Sequence, residues 1–276
     1  MKDRLELETV LCERAADGVV VVTMNRPAHA NAILPQSARD LLTTLDEIDG
    51  DLSVRCGVLT GAGRHFCAGA DLAAFKAHLE TEMKANEEPF NARLLFPVTQ
   101  RITTLRVPMI AAINGAATAG GFDLALACDI RIASTKAKMG ETYVNLGLAP
   151  GNGGTYFLPR LVGSGKAAEL ALTGEILNAE AALELGIVTR VVEPNELIAV
   201  AVALASTIAS KPRRAVEATK HLLRTSWHTD LAGSLGSSFW VTSALQNSRD
   251  LQEGIDAALE KRTPRYNTAG NRGDSD

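Results

Sequence analysis

The feature that most constrains this chain is a unit that recurs along it: a short apolar strand, a glycine-rich turn, then residues with helical spacing. Residues 56–60, Cys-Gly-Val-Leu-Thr, run into Gly61-Ala62-Gly63. Residues 107–113 form a second such strand, closed by Asn114-Gly115 and followed by helical spacing over 120–127. Upstream, the valine run at 19–24 follows Gly18 and reads as a strand. Ala38, Leu41, Leu42, Leu45 and Ile48 lie three and four apart and predict a helix over 35–48. A helix is expected over 90–105 with Pro97 as its kink, and strands over 130–133 and 187–192. This alternation indicates an α/β layer architecture. After Pro194 only helical spacing remains, at 197–210, 212–224, 235–246 and 250–261. The chain is therefore divided into an α/β core over 1–195, a helical region over 196–266 and a polar tail over 267–276 that is expected to be disordered.

Composition narrows the function. Lys and Arg number 28 and Asp and Glu 32, a net charge of −4, which gives no footprint for nucleic acid or an anionic membrane. Aromatic residues make up 4%, so the core has to be built from Ala, Val, Leu and Ile. Cys12, Cys56, Cys67 and Cys128 form no C-x-x-C pair and stand near no His at metal-ligand spacing. They read as small buried hydrophobes kept reduced in the cytoplasm, and no metal site is expected. Four of the first six residues are charged, without the apolar stretch of a signal peptide. The longest apolar run, 197–205, is far short of the ~20 residues of a membrane helix.

Three glycine-rich segments, 61–72, 114–123 and 150–154, mark the place where an α/β sheet binds ligands. Dinucleotide binding fails on spacing, because Phe66 stands where a third glycine belongs. Neither a G-x-x-x-x-G-K-[ST] loop nor a G-x-S-x-G elbow exists. Two readings remain: plain tight turns, or two helix N-termini whose backbone N–H groups converge on one carbonyl oxygen.

Several segments together resemble the crotonase, or enoyl-CoA hydratase/isomerase, superfamily. They are Asn25-Arg26-Pro27, Phe66-Cys67-Ala68-Gly69-Ala70-Asp71-Leu72, Ile113-Asn114-Gly115, the run from Gly120-Gly121-Phe122-Asp123 to Asp129, the run from Gly147 to Gly154, and Glu260-Lys261-Arg262. The resemblance covers roughly residues 5–266. It implies a spiral of ββα units with a C-terminal helical trimerisation region, an acyl-CoA thioester substrate, and a homo-trimer or homo-hexamer. It places oxyanion N–H groups on Ala70 and Gly120. It assigns CoA contacts to Ala28, His29 and Ala30 on one wall and to Ala68, Asp71 and Leu72 on the other. Lys261 and Tyr266 match a segment that reaches CoA in a neighbouring subunit. CoA comes as part of the substrate, with no further cofactor and no partner of nucleic acid or membrane.

The departures carry as much information. Hydratases of this family hold a water between two glutamates, and those positions are Asp123 and Tyr143 here. A phenol, with an ordinary pKa near 10, donates a hydrogen bond at neutral pH but is no carboxylate base. The expected function is therefore an acyl-CoA enzyme of the hydratase/isomerase type with Asp123 as acid/base, in fatty-acid or related metabolism. An isomerase, decarboxylase, thioester hydrolase or non-catalytic acyl-CoA binder stands as the alternative. Glu141 precedes Tyr143 by two positions and on a helix would face elsewhere. Asp71 reads first as a helix cap. Tyr143 reads equally as packing, and His29 and His65 read as loop residues. Asn145 either orients an acyl group or caps a turn. Lys76 stands in for a basic residue expected just after Leu72.

Overall fold

The computed structural model describes residues 3–81 and 94–266. The valine run forms strand β3 (Val19–Met24) near the middle of a seven-stranded sheet. On one side lie β2 (Val10–Ala16) and β1 (Arg4–Glu6), both antiparallel. On the other side β4 (Cys56–Gly61), β6 (Met109–Ile113), β8 (Ile130–Ser134) and β11 (Arg190–Val192) follow in parallel. Every residue of β4 and β6 is buried, which explains their continuous apolar sequence. Their side chains alternate between two cores. Cys56, Val58, Ile110 and Ala112 face one, while Leu59, Met109, Ala111 and Ile113 face the other.

A second sheet was not legible in the sequence. It consists of β5 (His65–Cys67), β7 (Ala116–Thr118), β9 (Lys138–Gly140) and β10 (Leu177–Asn178), with the first three parallel. Each turn of the chain thus lays one strand in the large sheet and one in the small sheet, then returns through helix. That is a spiral of ββα units, as expected.

Helix α1 (Pro35–Gly50) covers the predicted 35–48 span. Helix α2 (Leu72–Thr81) follows β5, and α3 (Leu95–Thr104) occupies the described part of the expected 90–105 helix, whose residues 90–93 lie outside the described residues. Pro97 sits in the first turn of α3, where N–H groups have no intrahelical acceptor, so no kink is required. Helix α4 (Gly120–Ala127) has the predicted bounds. Helices α5 (Gly154–Val162), α6 (Ser164–Thr173) and α7 (Ala179–Glu184) complete the spiral.

Past residue 195 come α8 (Leu197–Ala209), α9 (Arg213–Thr225), α10 (Leu231–Leu245) and α11 (Arg249–Leu259). Leu197, Ala201 and Ala205 of α8 close the second face of the large sheet. Helix α9 is anchored by Lys220 and Arg224, each 2.9 Å from an Asp129 carboxylate oxygen at the end of α4. Helix α10 starts four residues before the expected 235 because Asp230 caps it, accepting from Gly233 N–H at 2.8 Å. The tail 267–276 lies outside the described residues.

Candidate active site

Three loops at the strand ends are fastened to one another by backbone and amide hydrogen bonds. Ala28 and His29 lie in a short turn, Pro27–His29, and Ala30 ends it in the left-handed region at φ 51°. The next residue, Asn31, is buried. It accepts from Arg26 N–H at 2.9 Å and donates to the carbonyls of Ala62 and His65 at 3.0 and 2.7 Å. The Ala68 N–H reaches the Ala30 carbonyl at 3.1 Å, and Ile33 N–H reaches Gly69 at 2.8 Å. The two walls expected to line a CoA pocket are therefore adjacent, with Ala28, His29, Ala68 and Leu72 exposed. Asp71 caps α2, accepting from Ala73 and Ala74 N–H at 3.2 Å, and pairs with Arg26 at 3.2 Å. Burial opposes its ionisation, but the Ala74 and Arg26 hydrogen bonds and the Arg26 charge outweigh it and hold the carboxyl below the ordinary range.

The second glycine loop meets the first. A side-chain carbon on Gly69 would lie 3.3 Å from the Gly120 nitrogen. One on Gly121 would lie 2.0 Å from the Cys67 carbonyl oxygen, so only glycine lets α4 approach that loop so closely. Ala119, just before the helix, is held at φ 48° and ψ −122°, a strained conformation for a residue with a Cβ. Its N–H is fixed to the Gly140 carbonyl at 2.9 Å. No backbone acceptor takes the Ala70 or Gly120 N–H among the described residues.

Behind Gly120 lies a buried acidic cluster. Asp123, one turn into α4, is fully buried and accepts a short hydrogen bond from the Tyr143 hydroxyl. Asn152 Nδ2 donates to the same hydroxyl at 2.8 Å. A Cβ on Gly120 would first meet Leu95 Cδ1 at 2.2 Å, then Tyr143 Oη at 3.5 Å and Asn152 Nδ2 at 3.7 Å, so an apolar side chain and these two polar atoms lie nearest the start of α4.

Glu141 belongs to this cluster, against the expectation from helical spacing. It caps a short turn, Thr142–Leu146, with φ −83° and ψ 72°, so the helical rule does not apply to it. It is 1% exposed, and a Cβ on Gly154 would lie 2.1 Å from its Oε1 and 2.6 Å from Asp123 Oδ1. Burial raises Asp123, against the hydrogen bonds from Tyr143 and Glu141. Burial and the Asp123 charge together raise Glu141 much further. Burial and the same charge push the Tyr143 phenol up, so it stays protonated. Asn152 is the other group the sequence reading left without a role; its signal was a polar residue set between Gly151 and Gly153.

Asn152 and Gly153 also line a cavity of about 900 Å³. Phe96 and Thr99 of α3, Phe157 of α5 and Trp227 beyond α9 form other walls. Among the remaining candidates, Asn145 is exposed and reaches the Gly174 carbonyl at 3.5 Å, which ties a turn. Lys76 is exposed and lies 3.8 Å from Glu80. Lys261 and Tyr266 lie beyond α11, with the Tyr266 hydroxyl near Gly254. The four cysteines are buried and their thiols are pushed up to about 12 by burial. Among the described residues no helix is long and apolar enough to cross a membrane, and no group of three or more His, Cys, Asp or Glu is set to hold a metal.

The ββα spiral followed by a helical region is the crotonase fold. The family model for enoyl-CoA hydratase/isomerase matches residues 14–269, and the chain belongs to that family. It is 37% identical to the short-chain-enoyl-CoA hydratase of Clostridium acetobutylicum, covering 94% of this chain and 97% of that one. It is 38% identical to the (E)-benzylidenesuccinyl-CoA hydratase of Thauera aromatica, over 91% and 96% of the two chains. A crystal structure of an enoyl-CoA hydratase from Bacillus anthracis superposes with a TM-score of 0.89 at 36% identity, covering 94% of this chain and 99% of that one. The protein is thus an enzyme of the enoyl-CoA hydratase/isomerase family.

Proposed function

We propose that the protein processes an acyl-CoA thioester by stabilising its enolate, with hydration of an enoyl-CoA as the leading reaction. The observation that carries this reading is the meeting of the Gly69 and Gly120 loops, where the Ala70 and Gly120 N–H groups have no backbone acceptor among the described residues. Two such donors on one thioester oxygen favour the negative charge that develops there. Asp123 is the acid/base and Tyr143 the orienting hydroxyl. Tyr143 Oη, hydrogen-bonded to Asp123 and close to Gly120, orients the substrate or water beside that carboxylate, which moves the proton.

CoA lies along Ala28, His29, Ala30, Ala68, Asp71 and Leu72, and the acyl group extends past Asn152 into the adjoining cavity. The reading needs no metal or redox cofactor, since CoA comes with the substrate. A phenol near Gly120, at the position where the resemblance implies a second carboxylate, favours an isomerase, decarboxylase or hydrolase as the second reading. Exposed Leu231, Leu235, Phe239 and Trp240 on α10 support a homo-trimer or homo-hexamer. Lys261 and Tyr266 would then reach CoA across a subunit contact.

Turnover of a panel of short and aromatic enoyl-CoA thioesters tests the reading. Hydration of at least one is expected, and tight binding without turnover of any would establish a binding protein instead. Light scattering at micromolar concentration should give three or six chain masses, and a monomer would refute the assembly.

A further inference from the structure

Glu141 is the one ionisable member of the buried cluster to which the proposed function gives no task. Its two carboxyl oxygens and Asp123 Oδ1 are buried without a hydrogen-bond donor as long as both groups are ionised. Both groups point into the same small space, the one a Gly154 side chain would fill, at 2.1 Å and 2.6 Å from that point. Two buried carboxylates set face to face repel, and one proton between them turns the repulsion into a hydrogen bond.

We propose that Glu141 is a positioning residue for the reaction: it carries one proton, donates it in a hydrogen bond to Asp123, and so holds the Asp123 carboxylate against the Tyr143 hydroxyl. This rests on the assignment of Asp123 and Tyr143 above. The proton resides on Glu141 because Asp123 already accepts from Tyr143, whereas Glu141 has no other donor. Around Glu141, α4 presents Asp123, the 142–146 turn presents Tyr143, the loop before α5 presents the neutral amide of Asn152, and α5 itself begins with Gly154. Among the described residues, Asp123 is the charge that bears on it, and no cation there offsets it. The strand end carrying Glu141 is fixed in turn, since the Gly140 carbonyl accepts from Ala119 N–H at 2.9 Å. The Glu141 carboxyl therefore keeps its place relative to the start of α4.

The test compares Glu141→Gln, Glu141→Leu and Asp123→Asn in the full chain, with kcat and KM for the best enoyl-CoA substrate followed from acidic to alkaline pH. The Gln amide supplies a donor like that of protonated Glu141. Its kcat is expected within about threefold of wild type, and the alkaline fall in rate caused by Glu141 ionisation should disappear. Leu at this position supplies no donor. Its kcat should fall about 10–100-fold at unchanged KM, the scale of a lost charge-assisted hydrogen bond. Its acid limb should also move to higher pH. A Glu141→Gln variant as impaired as Glu141→Leu, or one that keeps the wild-type alkaline limb, would overturn the proposal. If the Leu variant fails to fold, the alkaline limb of the Gln variant decides by itself. An active Asp123→Asn enzyme would overturn the underlying site assignment and this proposal with it. An inactive Asp123→Asn beside an unchanged Glu141→Gln profile would overturn the proposal alone.

Discussion

Replacing Asp123 by Asn separates what the buried carboxylate does for chemistry from what it costs the fold. The side chain keeps its shape, and its carbonyl oxygen still accepts from Tyr143, so the hydroxyl stays near Gly120. The basicity is gone. Loss of a general acid–base group costs about 10²–10⁴-fold in rate, or about 2.7–5.4 kcal/mol of barrier at 1.36 kcal/mol per decade. Loss of an orienting hydrogen bond alone is about 0.5–1.5 kcal/mol, at most about tenfold. Asp123→Asn should therefore lower kcat by at least about 100-fold, and Tyr143→Phe by about tenfold or less. KM should hardly change, because the loops at 28–30 and 68–72 lie on an earlier turn of the spiral. The fold should gain about 1–2 kcal/mol, since a buried charge facing a second carboxyl is removed. Steady-state kinetics with denaturant melts of both variants checks this. A kcat for Asp123→Asn within tenfold of wild type, or a fold weaker than wild type, would refute the reasoning.

Three further outcomes follow from the same geometry. Gly154→Ala drives a methyl to 2.1 Å from Glu141 Oε1 and 2.6 Å from Asp123 Oδ1, so it should destabilise by about 1–3 kcal/mol and cut kcat sharply; an active variant of normal melting point would contradict it. Ala119→Gly releases a residue held at φ 48°, and should raise stability by about 1 kcal/mol in urea melts after the entropic cost of glycine is subtracted, with unchanged kcat. Glu141 is raised in the folded state, so its contribution to stability is full below the ordinary Glu range and is lost as pH climbs above it. The melting temperature of Glu141→Gln should accordingly gain on wild type as pH rises, and parallel curves would refute that sign.

Legibility in the sequence followed element length and burial. The strands over 19–24 and 56–60 and the helices over 35–48 and 120–127 were readable because each buries a regular apolar pattern. The strands of the small sheet have two or three residues each, and Ala116–Thr118 lies inside a Gly/Ala-rich stretch that reads as loop. The predicted strand at 187–192 shrinks to Arg190–Val192, because Ile187 and Val188 are buried in the core rather than paired in the sheet. Of the proposed site, Ala70, Gly120, Asp123 and Tyr143 were named by the resemblance to the family's motifs. Glu141 was not, because its approach to Asp123 depends on one non-helical residue after β9, and residue spacing along the chain carries no trace of that dihedral. Asp71 was legible as a cap because the Asx-to-amide contact is local, at two and three residues.

In both sheets the parallel strands lie beside one another in chain order. As the chain leaves the ribosome, each ββα turn can dock on a surface the previous turn has already formed, without waiting for a distant strand. The site is assembled on the same schedule. Ala70 arrives with the turn that holds β4 and β5, Gly120 and Asp123 with that of β6 and β7, and Glu141 and Tyr143 with that of β8 and β9. The N–H pair is complete one turn before the groups that surround Asp123. Chemistry can therefore diverge by substitution in the later turn while the N–H pair proposed to bind the carbonyl, and the strands already folded beneath it, stay as they are.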